Sequence, residues 1–228
     1  PMTGQLGVYG NLDYRFENSP KALTLDARAT QIEAVRFFGY GNDSPDISSK
    51  DALVDQRVVS VEPAFVYRIG WRARENGYNE IRGEMGNPEE GEDSTKAPRR
   101  MRVSEGKFTI GPSVSWINPE TPASSPVALI APTGSESFSM AGVKAAFQVD
   151  RTDDDAMPTS GFTVRAAAAG YPALLGLDEA FGTLSAQTTG YIPIMSGGPH
   201  FAVRLGGAKG MGDVPFQFAP PLGGRRRL

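Results

Sequence analysis

Hydrophobic and polar residues alternate with a period of two along most of the chain, and windows that could hold three clean helical turns are almost absent. In VVSVEPAFVYRIGWR one side carries Val59, Val61, Pro63, Phe65, Tyr67, Ile69 and Trp71, none of them charged. The other side carries Ser60, Glu62, Ala64, Val66, Arg68, Gly70 and Arg72. KFTIGPSVSWI repeats the pattern, with Phe108, Ile110, Pro112, Val114 and Trp116 opposed to Lys107, Thr109, Gly111, Ser113 and Ser115. In GVKAAFQVD, Val143, Ala145, Phe147 and Val149 oppose Lys144, Ala146, Gln148 and Asp150. GFTVRAAAAG sets Phe162, Val164, Ala166 and Ala168 against Thr163 and Arg165, and HFAVRLGG sets Phe201, Val203 and Leu205 against His200 and Arg204. GTLSAQTTGYIPI, LGVYGNLDYRFE and KALTLDARATQIEAVRFFG behave alike. The alternation predicts about eight strands, several of ten or more residues.

The connections alternate in character. ENSP (17–20), 150–160 and MSGGPH (195–200) read as turns, whereas 39–56, 117–137 and 206 onward are longer and rich in Gly, Ser, Asp and Pro. Short turns at one rim and long loops at the other is the pattern of a membrane β-barrel. Residues 73–106 break it, and their polar, highly charged composition predicts a mobile insertion where a short turn would fall. A soluble antiparallel sandwich also alternates, but its strands run to about five or six residues, against roughly 9 to 11 for a tilted transmembrane strand. The long strands, and the aromatics near the ends of the apolar faces (Tyr14, Phe16, Tyr67, Trp71, Trp116), favour the barrel.

Composition narrows the chemistry. With 228 residues, 39% hydrophobic, the chain is long enough for one large or two small domains, and its net charge of -3 gives no global attraction for nucleic acid. The absence of cysteine excludes disulfides, thiolate zinc sites and cysteine nucleophiles. No run approaches ~18 consecutive apolar residues, which excludes a helical span but not a strand-built one. His200, the one histidine, reads as a rim or lumen side chain rather than a metal ligand or triad member. Asp150, Asp153, Asp154 and Asp155 lack the glycine spacing of a calcium loop and read as a solvated turn. GGAKGMG (206–212) lacks the ending of a phosphate-binding loop, and no serine stands in a nucleophile elbow. No residue pattern calls for catalysis or a cofactor.

Three stretches resemble the C-terminal barrel of the bacterial surface antigen family, the BamA/TamA-like outer-membrane assembly and translocation proteins. VRFFGYGNDSP is similar to a strand end and loop carrying Arg-Phe-Phe-Gly-x-Gly-Asn, matched by Arg36, Phe37, Phe38, Gly39, Gly41 and Asn42. GVKAAFQVDRTDDDAMPTSGF resembles a strand ending in D-x-R-D followed by a turn and P-x-x-G, matched by Asp150, Asp153, Pro158 and Gly161. Arg151 departs from that pattern, standing directly after Asp150. VPFQFAPPLGGRRRL resembles the start of a loop that folds into the lumen, matched by Gly223, Gly224 and Leu228.

The resemblance implies residues 1–228 as part of one outer-membrane barrel domain, about eight meandering strands of about sixteen, incomplete at both ends, with the lumen loop starting at 206–228. It implies a non-catalytic role in inserting or translocating outer-membrane proteins. The implied location is the bacterial outer membrane, and the implied partners are lipid, client proteins, and the rest of the barrel or a neighbouring chain at the open edges. The alternation places Glu62, Arg68, Lys144, Gln148, Arg165 and Arg204 toward the lumen. Two other readings stay open: a structural or anchoring barrel subunit of a surface assembly, and a secreted soluble β-sandwich that binds carbohydrate.

Overall fold

A computed structural model describes residues 7–37, 52–70, 105–121, 125–154, 157–195 and 199–220. Its strands are β1 (Gly7–Arg15), β2 (Lys21–Arg36), β3 (Leu53–Ile69), β4 (Glu105–Glu120), β5 (Phe138–Thr152), β6 (Gly161–Tyr171), β7 (Phe181–Pro193) and β8 (His200–Gly212). They form a single antiparallel sheet in sequence order, open between β1 and β8. The one described helix, α1 (Pro126–Ile130), is a single turn started by Ser125, whose Oγ accepts from the Ala128 amide at 3.2 Å, and closed at Ala131 in the left-handed region.

Register carries one assignment of faces across the sheet. Tyr14, Leu23, Phe65, Ile110, Ala145, Ala168 and Leu184 are successive cross-strand partners from β1 to β7, and all stand on one apolar face. Its large side chains are exposed on every strand, from Val8 at 61% to Leu205 at 65%. Charges on this face fall toward the strand ends, at Lys21, Asp55, Arg57, Glu120, Arg151 and Lys209. The opposite face carries most of the charged residues of the described strands, beside a buried apolar zone.

β2 has the one described register shift, between Thr30 and Glu33. The extra residue changes which face odd positions occupy. Leu23, Leu25 and Ala29 stand on the apolar face, whereas Val35, paired with Val54, packs on the polar side of the sheet against the buried cluster of Phe37, Val54, Val127 and Phe216. A second cluster on that side, Val58, Ile117, Phe138, Met140, Tyr171 and Phe181, is covered by Leu177, Val214 and Phe218. The protein core therefore lies at the rim formed by the connections after β2, β4, β6 and β8.

Two glycines mark where strands or side chains need the missing Cβ. Val61 faces Val114 and Phe65 faces Ile110, which sets Pro63 opposite Pro112, and the pairing lapses between two residues that lack an N–H. There the backbones close in, so that a Cβ on Gly111 would lie 2.0 Å from the Pro63 carbonyl oxygen. On β5, the Tyr171 ring lies over Gly142, where a Cβ would come within 2.4 Å of it and 2.2 Å from the Gly170 oxygen.

Some boundaries differ from the sequence reading. β8 continues through GGAKGMG, so the chain leaves the sheet at Asp213 and not at residue 206. Pairing with Phe181–Gln187 overrides the weak strand propensity of those glycines. Leu53–Gln56, Ile117–Glu120 and Glu105–Gly106 are likewise strand where loop or insertion was expected. Residues 71–104, with Trp71 and most of the expected insertion, lie outside the described residues.

Gly142→Ala is expected to destabilise the fold by about 1–3 kcal/mol, because its methyl would meet both the Gly170 carbonyl oxygen and the Tyr171 ring. Gly170→Ala, whose added methyl meets nothing within 4 Å, should cost far less. Urea unfolding of the two variants checks this, and equal losses would show that crowding at position 142 is not the cause.

Candidate functional site

The polar face is the surface on which the chain gathers its charge. Glu62, Arg68, Lys144, Gln148, Arg165 and Arg204 all stand on it by register, on four different strands. Their surroundings differ. Lys144 on β5 donates to Glu62 Oε1 on β3 at 2.6 Å, reaching across β4, and Ser113 Oγ on β4 donates to the same oxygen at 3.3 Å. Ser113 is fully buried beneath the pair, whose own side chains are about a third exposed, at 39% and 32%. Such a half-solvated pair contributes about 1 kcal/mol or less.

The pair lines a trough of about 570 Å³ together with Asp13, Asp26, Lys107 and Thr183. Asn11 Nδ2 donates to Asp26, and Arg28 Nε donates to Ser60 Oγ at 3.1 Å, so the β1–β3 part of the wall is closed by polar contacts between strands. Farther toward the short turns, Arg68, Lys107, Gln148, Arg165 and Gln187 are successive cross-strand partners from β3 to β7. Arg204 is one row away, opposite Thr189.

Alternation alone would have found Lys107, which stands opposite Phe108 in the period of two. The contributions of Asp13, Asp26 and Arg28 depend on cross-strand register, which no single strand reveals.

The motif residues fall into two groups. Asp150, Asp153 and Gly161 build the β5–β6 turn. Asp150 Oδ1 accepts from the Thr152 amide at 3.0 Å and the Thr152 hydroxyl at 2.6 Å. Asp153 Oδ1 accepts from the amides of Thr159 and Ser160 at 2.9 and 3.0 Å, while its other oxygen accepts from the Thr159 hydroxyl. Gly161 has φ +105°, and a Cβ there would lie 2.0 Å from the Arg151 carbonyl oxygen. Pro158 is half-buried beside them. These residues shape a turn; Asp154 also serves it, accepting from the Met157 amide at 2.9 Å.

Phe37, from the first stretch, is buried and donates its amide to the Ala52 carbonyl at 2.8 Å. Its ring meets Phe216 edge-on at 5.3 Å, which joins the end of β2 to the segment after β8. That segment crosses the polar side of the rim: Phe216 N donates to the Thr133 carbonyl at 3.0 Å, and Gln217 Nε2 to the Gly134 carbonyl at 2.8 Å. Phe218 packs on Tyr171 and Phe181. Arg36 ends β2 as a backbone position, and Phe38, Gly39, Gly41, Asn42, Gly223, Gly224 and Leu228 lie outside the described residues.

His200 opens β8, exposed, opposite Pro193. Among the described residues no three His, Asp or Glu side chains converge as a metal site. The arrangement supplies a wet, charged wall that can bind and guide polar groups. No family model, curated protein or solved structure matches the chain.

The hydroxyl of Thr159 first, and then the amides around it, hold the Asp153 carboxyl well below the usual carboxylate range. A depressed folded value means that the turn's contribution is fully present above the ordinary carboxylate value of about 4 and is lost as pH falls below it. The stability difference between wild type and Asp153→Ala should thus be constant from pH 8 to 5 and shrink below pH ~4. A difference that does not change with acidification would show that the ionised carboxylate is not what orders the turn.

Proposed function

We propose that this chain is part of a transmembrane β-barrel of the bacterial outer membrane, of the BamA/TamA-like surface antigen family, and takes part in inserting or translocating other outer-membrane proteins. The observation that carries the membrane reading is the division of the sheet into an exposed apolar face on all eight strands and a charged opposite face. Monomeric soluble proteins rarely leave contiguous apolar patches above a few hundred Å² in water. In lipid the same face is the favourable one.

Dimensions support the same reading. The apolar face of β3 runs from Val59 to Ile69. Ten rises of ~3.4 Å give about 34 Å along the strand, and a tilt of about 40° gives a height of about 26 Å, close to the ~25 Å apolar band of membrane barrels. Aromatics gather toward the short-turn rim: Tyr67, Phe108 and Phe147 are successive partners on β3, β4 and β5, with Tyr14 packed on Phe16 and with Phe162 and Phe201 on neighbouring strands. Trp116 stands nearer the other rim. A sandwich, by contrast, requires a second sheet over the apolar face, and the described strands form one sheet only.

The insertion or translocation role is drawn from the resemblance of the Arg36–Asn42, Asp150–Gly161 and Gly223–Leu228 stretches. On this reading the chain is not a catalyst and needs no cofactor. Its partners are outer-membrane lipid, client proteins, and strands that pair with β1 and β8, supplied by the rest of the barrel or a neighbouring chain. Nucleic acid is not among them.

Two measurements test the reading. Protein extracted from outer membranes in detergent should migrate differently on a denaturing gel with and without boiling; a single unshifted band at 24.4 kDa from the soluble fraction would overturn the barrel. Val114→Arg, on the apolar face, should lower membrane-inserted protein sharply, since Arg near the midplane costs about 2–4 kcal/mol. In a soluble protein this exposed change would be neutral to within about 0.5 kcal/mol.

A further inference from the structure

The row Arg68, Lys107, Gln148, Arg165, Gln187 crosses five adjacent strands on the polar face without a carboxylate. Arg68 and Lys107 are direct partners, and like charges placed opposite each other destabilise a sheet. No ion pair joins Arg68, Lys107 or Arg165 to a carboxylate among the described residues, whereas Lys144, one strand over, is matched by Glu62. The next row toward the rim sets Glu105, Asp150, Thr163, Thr189 and Arg204 in register, so the two rows together carry four cations and two carboxylates.

Adjacent strands are ~4.8 Å apart, so Arg68 and Arg165 are about 14 Å apart at the backbone, with Lys107 and Gln148 between them. Side chains of this length can converge on one group from both sides. Guanidinium forks, an ammonium and two amides are donors suited to a tetrahedral oxyanion with several acceptor oxygens. Rings of Arg and Lys serve the same purpose in anion and phosphate pores.

We propose that this row is a binding site for a phosphate-class oxyanion, which sits between Arg68, Lys107 and Arg165 and neutralises the like-charge pair. The site depends on register alone and holds whether or not the barrel reading is correct.

The test uses the full chain, purified in detergent, titrated with inorganic phosphate and with pyrophosphate at constant ionic strength. Saturable binding of at least one is expected, weakened tenfold or more by Lys107→Gln or Arg165→Gln and unchanged by Arg15→Gln, a cation on the same face outside the row. In phosphate-free buffer of low ionic strength, Lys107→Gln should raise the melting temperature by about 1–2 °C, because it removes the repulsion, and should abolish the rise that phosphate gives the wild type. A merely structural lysine would lower it. No saturable binding of either anion, or equal weakening by Arg15→Gln and Arg165→Gln, would overturn the proposal. If Lys107→Gln fails to fold, the comparison of Arg165→Gln with Arg15→Gln decides.

Discussion

An antiparallel strand ties the face of every side chain to register, and a slip of one residue moves the whole set to the other side. Everything in this molecule depends on that constraint being met at seven successive interfaces. The apolar face stays apolar from Tyr14 on β1 to Leu184 on β7 because each ladder keeps the same parity. The described exception is placed where a change of face is needed. Between Thr30 and Glu33 the bulge turns Val35 from the side of Leu23 and Leu25 to the side of Val54. Without it, the end of β2 could not contribute to the core that Phe37, Val127 and Phe216 complete.

That core and the charges share one face of the sheet and divide it lengthwise. Val58, Ile117, Met140 and Phe181 lie toward the rim of the long connections, under Val214 and Phe218. Arg68, Lys107, Gln148 and Arg165 lie toward the short turns. The separation follows from desolvation: an ion set among the buried side chains of the core would lose its hydration without a partner, at a cost of several kcal/mol. Glu62 and Lys144 stand between the two zones, and there the charges are paired. The face thus runs from a buried apolar zone, through a compensated pair, to a cationic zone in which Lys107 and Arg165 are exposed and Arg68 is half-buried.

The strands and their two faces were legible in the sequence because alternation is a local signal. Phe65 and Arg68 can be assigned to opposite faces from their own segment. The strand ends were less legible: GGAKGMG has little strand propensity, and it is extended because β7 pairs with it. The bulge was invisible, since KALTLDARATQIEAVR alternates on either side of it without a break in composition. Alternation places the six candidate residues of the polar face one strand at a time. What escaped was their arrangement in rows, because the partnership of Arg68 with Lys107, or of Glu62 with Lys144, is a property of two or three strands together. The turn carboxylates read in sequence as a solvated cluster, because the bonds that make Asp153 a turn-former run to residues six and seven positions ahead.

The edges complete the argument from register. β1 and β8 each pair on one side only, leaving a row of N–H and C=O groups on the other. Soluble sheets blunt such edges with proline, with bulges, or with charges on the apolar side. β1 presents Val8, Leu12 and Tyr14 in the same alternation as the interior strands, and β8 presents Phe201, Val203, Leu205 and Met211, with Lys209 the one charge among them. Both are therefore patterned as interior strands and not as borders. In lipid each unpaired backbone group costs several kcal/mol, far more than the apolar side chains of one strand recover. A membrane-embedded form of this sheet thus requires strands against β1 and β8 as strictly as it requires the apolar face itself, and the alternation carried through to both edges is the pattern such pairing needs.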